Sequence, residues 1–276
     1  MLELEHGFRV VDVRARLDPD ATEAAARGRE ISPERLEREM HQAGVVKAVV
    51  SPGPRPPGEG YLRANNAVAR LSVDRPFLAV ARIDGPRDPT GRPVARLRNL
   101  AAGREAHHAD PEDVERFAYD DRFHGFVLDP AVDGLPDAAV LDELDDVALP
   151  VFVRAGERFP PEAVAGPLLG RSFPVVLTSL DGFPPSRTLA TRALDMLETH
   201  DRLHLDTSFV GSRTPMERGL LEHPDRILFG SGVPESHPNV GVMQVLTLDV
   251  PEDAMRRAFS KNPSRVVPAL APGVEA

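Results

Sequence analysis

Arginines and carboxylates carry whatever chemistry this sequence can do. Arg14 and Arg16 stand two residues apart in Asp12-Val-Arg-Ala-Arg16, so on an extended backbone both side chains face the same way. Arg82 ends the apolar run Ala79-Val-Ala-Arg82, and Arg154 ends Val151-Phe-Val-Arg154. A guanidinium carries five donors and no acceptor, which suits it to holding a carboxylate or phosphate in two parallel hydrogen bonds. Asp129 and Asp181 each follow a strand-like run and are candidates for an acid/base pair, while Asp206-Thr-Ser208 offers a carboxylate beside two hydroxyls. Ser231 lies in Gly230-Ser-Gly232, a small-residue turn straight after Ile227-Leu-Phe229 and a common place for a ligand site. Neither Ser179 nor Ser231 sits in a Gly-x-Ser-x-Gly elbow, so a serine nucleophile is not indicated. His107-His-Ala-Asp110 and His237 fall in loops and read as surface histidines, and His204, between two leucines, as a core one.

These residues hang on a regular alternation of apolar runs and helix-like segments, the pattern of βαβ units and a parallel sheet. The expected strands are 8–13, 45–50, 76–83, 125–129, 150–154, 174–179, 203–208 and 227–229. Helices are expected over 33–44, 65–72, 94–105, 111–117, 137–147, 186–199, 251–259 and 262–267, the first opened by Ser32 as cap and Pro33 in the first turn. Eight strands in 276 residues make a single α/β domain with a (β/α)8 TIM-type barrel the leading topology. An open doubly wound sheet is the alternative, but no Gly-x-Gly-x-x-Gly follows the first strand. The barrel is expected to occupy 1–267, with a frayed tail over 268–276.

Composition excludes several classes of function. The absence of cysteine rules out disulfides, thiolate metal sites and a cysteine nucleophile. A net charge of −10 argues against a nucleic-acid partner, and no apolar run is long enough to span a membrane. The acidic N-terminus lacks a signal-peptide pattern, so a cytoplasmic location is expected. Lys47 and Lys261 are the only lysines among 33 basic residues. Such an acidic, arginine-rich composition is halophile-like or typical of a GC-rich organism, and it raises the chance of meeting arginine anywhere.

The phrase Leu228-Phe-Gly-Ser-Gly-Val-Pro234 resembles the last-strand signature of the amidohydrolase-related family of metal-dependent (β/α)8 barrels. Gly44–Val50, Ala79–Asp84, His124–Pro130, Leu149–Gly156, Phe173–Gly182 and Leu205–Ser208 are similar to the family's other strand phrases, in matching order over nearly the whole chain. The resemblance implies hydrolysis of C–N and related bonds, or decarboxylation of aromatic or unsaturated acids, on a divalent metal such as zinc. It also implies where the metal ligands belong, and here those positions carry Arg14 and Arg16 on the first strand and Arg154 on the fifth. The sixth-strand histidine position falls on Ser179, or on Thr178 one residue earlier, and the final aspartate position on Gly232.

Arginine repels cations, so the expectation is a barrel without metal or other cofactor that has lost metal-dependent catalysis. It would bind an anionic small molecule through Arg14, Arg16, Arg82, Arg154, Ser179 and Ser231, or serve as a scaffold or regulator. The alternative is an active hydrolase or decarboxylase with an altered site. In a second alternative the arginines pair with Asp12, Asp84, Asp129, Glu157, Asp181 or Asp206 and plug the mouth. A homodimer is expected only by analogy with barrels of this type.

Overall fold

The computed structural model describes residues 4–17, 32–90, 93–182 and 186–273. Eight parallel strands pair in the order in which the chain makes them: β1 (Val10–Arg16), β2 (Val45–Ser51), β3 (Phe77–Arg82), β4 (Phe123–Leu128), β5 (Val151–Arg154), β6 (Val175–Thr178), β7 (Leu203–Asp206) and β8 (Ile227–Leu228). Helices cross between them on the outside, giving the expected (β/α)8 barrel. Closure is made beyond β8 itself. Val13 N–H donates to Phe229 O at 2.9 Å, Arg16 N–H to Val233 O at 2.9 Å, and Gly232 N–H to Arg14 O at 3.1 Å.

Alternation along the strands separates two apolar regions. Val11, Val13, Val49, Leu78, Val80, Phe152, Val176 and Leu228 form one cluster with Val127 packed against it, drawn from seven strands, and this is the barrel interior. Val10, Ala48, Phe77, Ala79, Phe126, Val151, Val175, Leu205 and Ile227 belong to the larger cluster, the layer between sheet and helices. The chain beyond Val267 is not frayed at once: Pro268–Leu270 forms a turn whose buried Leu270 joins the interior cluster and closes its lower end. Arg9 Nη2 and Lys47 Nζ donate to Leu270 O at 2.6 Å and Ala269 O at 3.0 Å, tying that turn to the sheet.

Helix boundaries follow local signals where those are strong. Pro33–Ala43 starts on the Ser32 cap and ends at Gly44 with a left-handed φ of 68°. Pro111–Ala118 opens on a full capping box between Asp110 and Asp113. Among the described residues, the helices Arg213–Glu222 and Pro238–Leu246 carry no clear local signal. The first holds Pro215 and Gly219, poor helix formers, and the second is apolar on most faces, so tertiary packing rather than pattern makes them helical. β1 runs three residues past its expected end because Asp12 accepts from Arg14 N–H at 2.9 Å, which supports the irregular register between Asp12 and Ala15.

The chain that leaves β3 is pinned by close backbone contact. Gly85 N–H donates to Asp133 O at 3.0 Å, and a Cβ at Gly85 would lie 2.2 Å from Leu135 O. Gly85→Ala is therefore expected to destabilise the fold by ~1–3 kcal/mol, read as a lowered melting temperature; an unchanged melting temperature would contradict this packing.

Candidate functional site

Side chains two residues beyond the interior cluster face the same way and ring the C-terminal mouth. From Val80 this leads to Arg82, from Val127 to Asp129, from Phe152 to Arg154, from Val176 to Thr178 and from Leu228 to Gly230. Asp206 ends β7, and the irregular end of β1 brings Arg14 to the same place. Gly230 gives direct evidence, since a Cβ built there would meet Asp206 Oδ2 at 2.5 Å and Arg14 Cβ at 3.0 Å. Only a residue without a side chain lets the acid and the arginine approach each other across β8.

The arginines are held unequally. Arg82 is buried, with Nη2 2.7 Å from Asp133 Oδ2 and 3.5 Å from Asp129 Oδ2. Its Nε donates to Asp133 Oδ2 at 2.7 Å, and Tyr61 donates its hydroxyl to Asp133 Oδ1 at 2.7 Å. Burial alone would lower the pKa of Arg82; the charges of Asp133 and Asp129 outweigh it and hold the group firmly charged. Arg154 Nη1 lies 3.4 Å from Asp129 Oδ2, and Arg16 Nη1 3.2 Å from Glu235 Oε1. Arg14 differs. Its guanidinium makes no side-chain hydrogen bond or ion pair among the described residues, and its Nε is buried without a partner. Burial and the neighbouring Arg154 charge both press its pKa down, with Glu235 and Asp206 opposing.

Asp206 and Asp12 are buried beside Arg14, and Asp181 is buried in the turn after β6. Asp206 accepts from the N–H groups of Ser179 and Ser208 and from Ser208 Oγ at 2.7 Å. Burial nevertheless pushes its carboxyl up to about 6, against those bonds and the charge of Arg14. Asp12 is likewise raised to about 6 by burial, against donors from Ser231 and Arg14. Its two oxygens hold Ser231 N–H at 2.9 Å and Ser231 Oγ, bridging β1 to the turn after β8. Asp181 Oδ2 accepts from Gly211 N–H at 2.7 Å, and burial raises its pKa too.

The sequence candidates thus divide by role. Arg14, Arg16, Arg82, Arg154, Asp129 and Asp206 meet at the mouth. Ser231 is turned to Asp12 as a strut of barrel closure. Asp129 bridges Arg82 and Arg154 with one oxygen while its Oδ1 has no partner among the described residues. Ser179 takes a left-handed φ of 79°, which turns its N–H to Asp206 and leaves its buried Oγ without a partner among the described residues. Asp133 and Tyr61, which fix Arg82, and Glu235, which meets Arg16, carried no sequence signal because they lie outside the strands and far from those partners in the chain. At the positions where the strand phrases imply metal ligands, Arg14, Arg16, Arg154, Ser179 and Gly232 offer no adequate donor set, so a metal does not fit at those positions.

A second polar group lies beside the mouth. Asp84, just past β3, and His107 and His108, in the loop before Pro111–Ala118, present ligand atoms within 4.8 Å of one another. They line a cavity of about 630 Å³ with Tyr61, Asn65 and Arg82.

No family model and no curated protein matches the sequence. Solved structures do match its fold. An uncharacterised TIM-barrel protein from Bordetella bronchiseptica superposes with a TM-score of 0.68 at 19% identity, over 94% of this chain and 98% of the other. A 2,6-dihydroxybenzoate decarboxylase from Rhizobium gives 0.64 at 16% identity, over 94% and 98%. A dihydroxybenzoic acid decarboxylase from Polaromonas sp. JS666, with bound manganese, gives 0.65 at 14% identity, over 96% and 98%. The expectation of no metal is corrected here. Manganese-bound neighbours and the Asp84, His107 and His108 cluster point to a divalent metal instead. Reasoning from the strand ends alone missed it because both histidines lie in a loop. No described helix is long and apolar enough to cross a membrane. Eight parallel strands in chain order, matched over almost their full length by these structures, give this chain the (β/α)8 barrel fold that those decarboxylases share.

Proposed function

We propose that this barrel is an active amidohydrolase-type enzyme that removes carbon dioxide from a small carboxylic acid bearing a second oxygen substituent. This reading replaces the expectation that catalysis has been lost. One observation carries it: Arg14, a cation without a side-chain partner among the described residues, stands beside Asp206, an acid that still holds its proton near pH 6. The decarboxylases that share the fold supply the reaction class.

The chemistry assigns each group a task. Loss of carbon dioxide breaks a C–C bond, and its electron pair must end in a new C–H bond. Asp206 supplies the proton and is left as a carboxylate, which solvent reprotonates. A guanidinium gripping the departing carboxylate would oppose its loss, because that group ends as a neutral molecule. Arg14, with Arg154 near it, serves better at the second oxygen, which stays on the substrate and can accept its hydrogen bonds throughout the reaction. The substrate class is therefore an acid with a hydroxyl or second carboxylate, as in a dihydroxybenzoate. Asp129 holds Arg82 and Arg154 in place.

Release of carbon dioxide from hydroxybenzoates and dicarboxylates, measured on metal-supplemented protein, tests this reading. Asp206→Asn is expected to lower kcat by roughly 10²–10⁴-fold, and Arg14→Gln to lower kcat/KM by roughly 10²-fold. A panel in which no acid is decarboxylated, and none raises the melting temperature, would sink it.

The direction of the pH dependence follows from the acid's role. Asp206 must be protonated, so kcat is expected to fall as pH rises through about 6, and a profile flat from pH 5 to 8 would contradict the assignment.

Stability has the same sign. Asp12 and Asp206 bind protons more tightly folded than unfolded, since burial raises each from 3.8 to about 6. Their contribution is complete below pH 4 and is lost as pH rises to about 6. Asp206→Asn is expected to flatten that part of the melting-temperature profile.

A further inference from the structure

We infer that Asp84, His107 and His108 form a binding site for one divalent first-row transition ion, held beside the barrel mouth rather than at its centre. The inference stands independently of the decarboxylase reading. A carboxylate and two imidazoles, with their ligand atoms within 4.8 Å of one another, are a donor set that borderline ions such as zinc accept and that leaves positions open. Asp84, His107 and His108 line a cavity of about 630 Å³ together with Tyr61, Asn65 and Arg82.

The surroundings prepare the donors. Asp84 is buried, and its Oδ1 accepts from Ala109 N–H at 2.9 Å, which orients the carboxylate and anchors the histidine loop to β3. Glu105 Oε2 lies 3.6 Å from His107 Nδ1, favouring the proton on that nitrogen and leaving Nε2 as the electron-pair donor. Gly60 lets the loop seat closely, since a Cβ there would lie 2.8 Å from His107 O. His108 must change partners. Its Nδ1 accepts from Glu105 N–H at 3.0 Å, which places the proton of the neutral ring on Nε2. Coordination through Nδ1 displaces that N–H, and coordination through Nε2 requires the proton to move to Nδ1, so either route releases the Glu105 amide. Arg82 does not oppose the ion as a bare charge, because Asp133 and Asp129 hold it on the mouth side.

Titration calorimetry on chelator-treated protein with zinc chloride and manganese chloride tests the site. One ion per chain is expected, zinc tighter than manganese in line with the general affinity order. The amide resonance of Glu105 is expected to shift on loading. His107→Ala/His108→Ala and, separately, Asp84→Asn are each expected to weaken zinc binding by roughly 100-fold or more. Asn keeps the acceptor for Ala109 N–H, so Asp84→Asn decides the matter should the double variant fail to fold. Arg14→Gln is expected to leave zinc binding unchanged, which separates failure of this site from failure of the mouth reading. Zinc bound with wild-type affinity by both loop and Asp84 variants, or no stoichiometric binding by the unaltered chain, would overturn the proposal.

Discussion

A guanidinium buried at the end of a barrel needs an anion, and this chain meets that need unevenly. Arg82 is surrounded by Asp133, Asp129 and the face of the Tyr61 ring, and Arg154 shares Asp129 with it. Arg14 faces Asp206, an acid that burial keeps largely protonated in mildly acidic solution. Two charged arginines are therefore locked into the wall, and a third is held in the middle with less than a full countercharge. Burying a cation in this way is costly unless something anionic completes it. The geometry thus combines part of a plug with part of a pocket.

Barrel closure and site geometry depend on the same few contacts. Asp12 accepts from Arg14 N–H and from both Ser231 donors, so it joins the end of β1 to the turn after β8. That turn contains Gly230, whose missing side chain leaves room for Arg14 and Asp206 together. A carboxylate that sequence reasoning set aside as one of several salt-bridge partners is a strut on which the central arginine depends. Ser231, read as a ligand contact, belongs to that strut.

The two candidate centres use different chemistry and different parts of the fold. The mouth offers donors and protons from strand ends. The Asp84, His107 and His108 group offers electron pairs from one strand end and one loop. Arg82 lies between them, facing the mouth carboxylates while also lining the metal-side cavity. A single small substrate could be oriented by both only through that residue, whose partners already fix it.

Much of the fold was legible in the sequence, because parallel strands covered on both faces must be apolar and short, and the runs from Val45–Ser51 to Ile227–Leu228 announce themselves. The arginines were legible as a group for the same reason: a side chain two residues past an inward-facing one faces inward too. Tertiary structure alone decided which arginine is neutralised. Asp133 reaches Arg82 from 51 residues away at the end of the short helix Pro130–Asp133, held against Gly85, and no local pattern encodes such a meeting. It also decided that the two adjacent loop histidines share a cluster with Asp84, since a loop can fold back on many strand ends and only packing against Gly60 and the Ala109 amide selects this one.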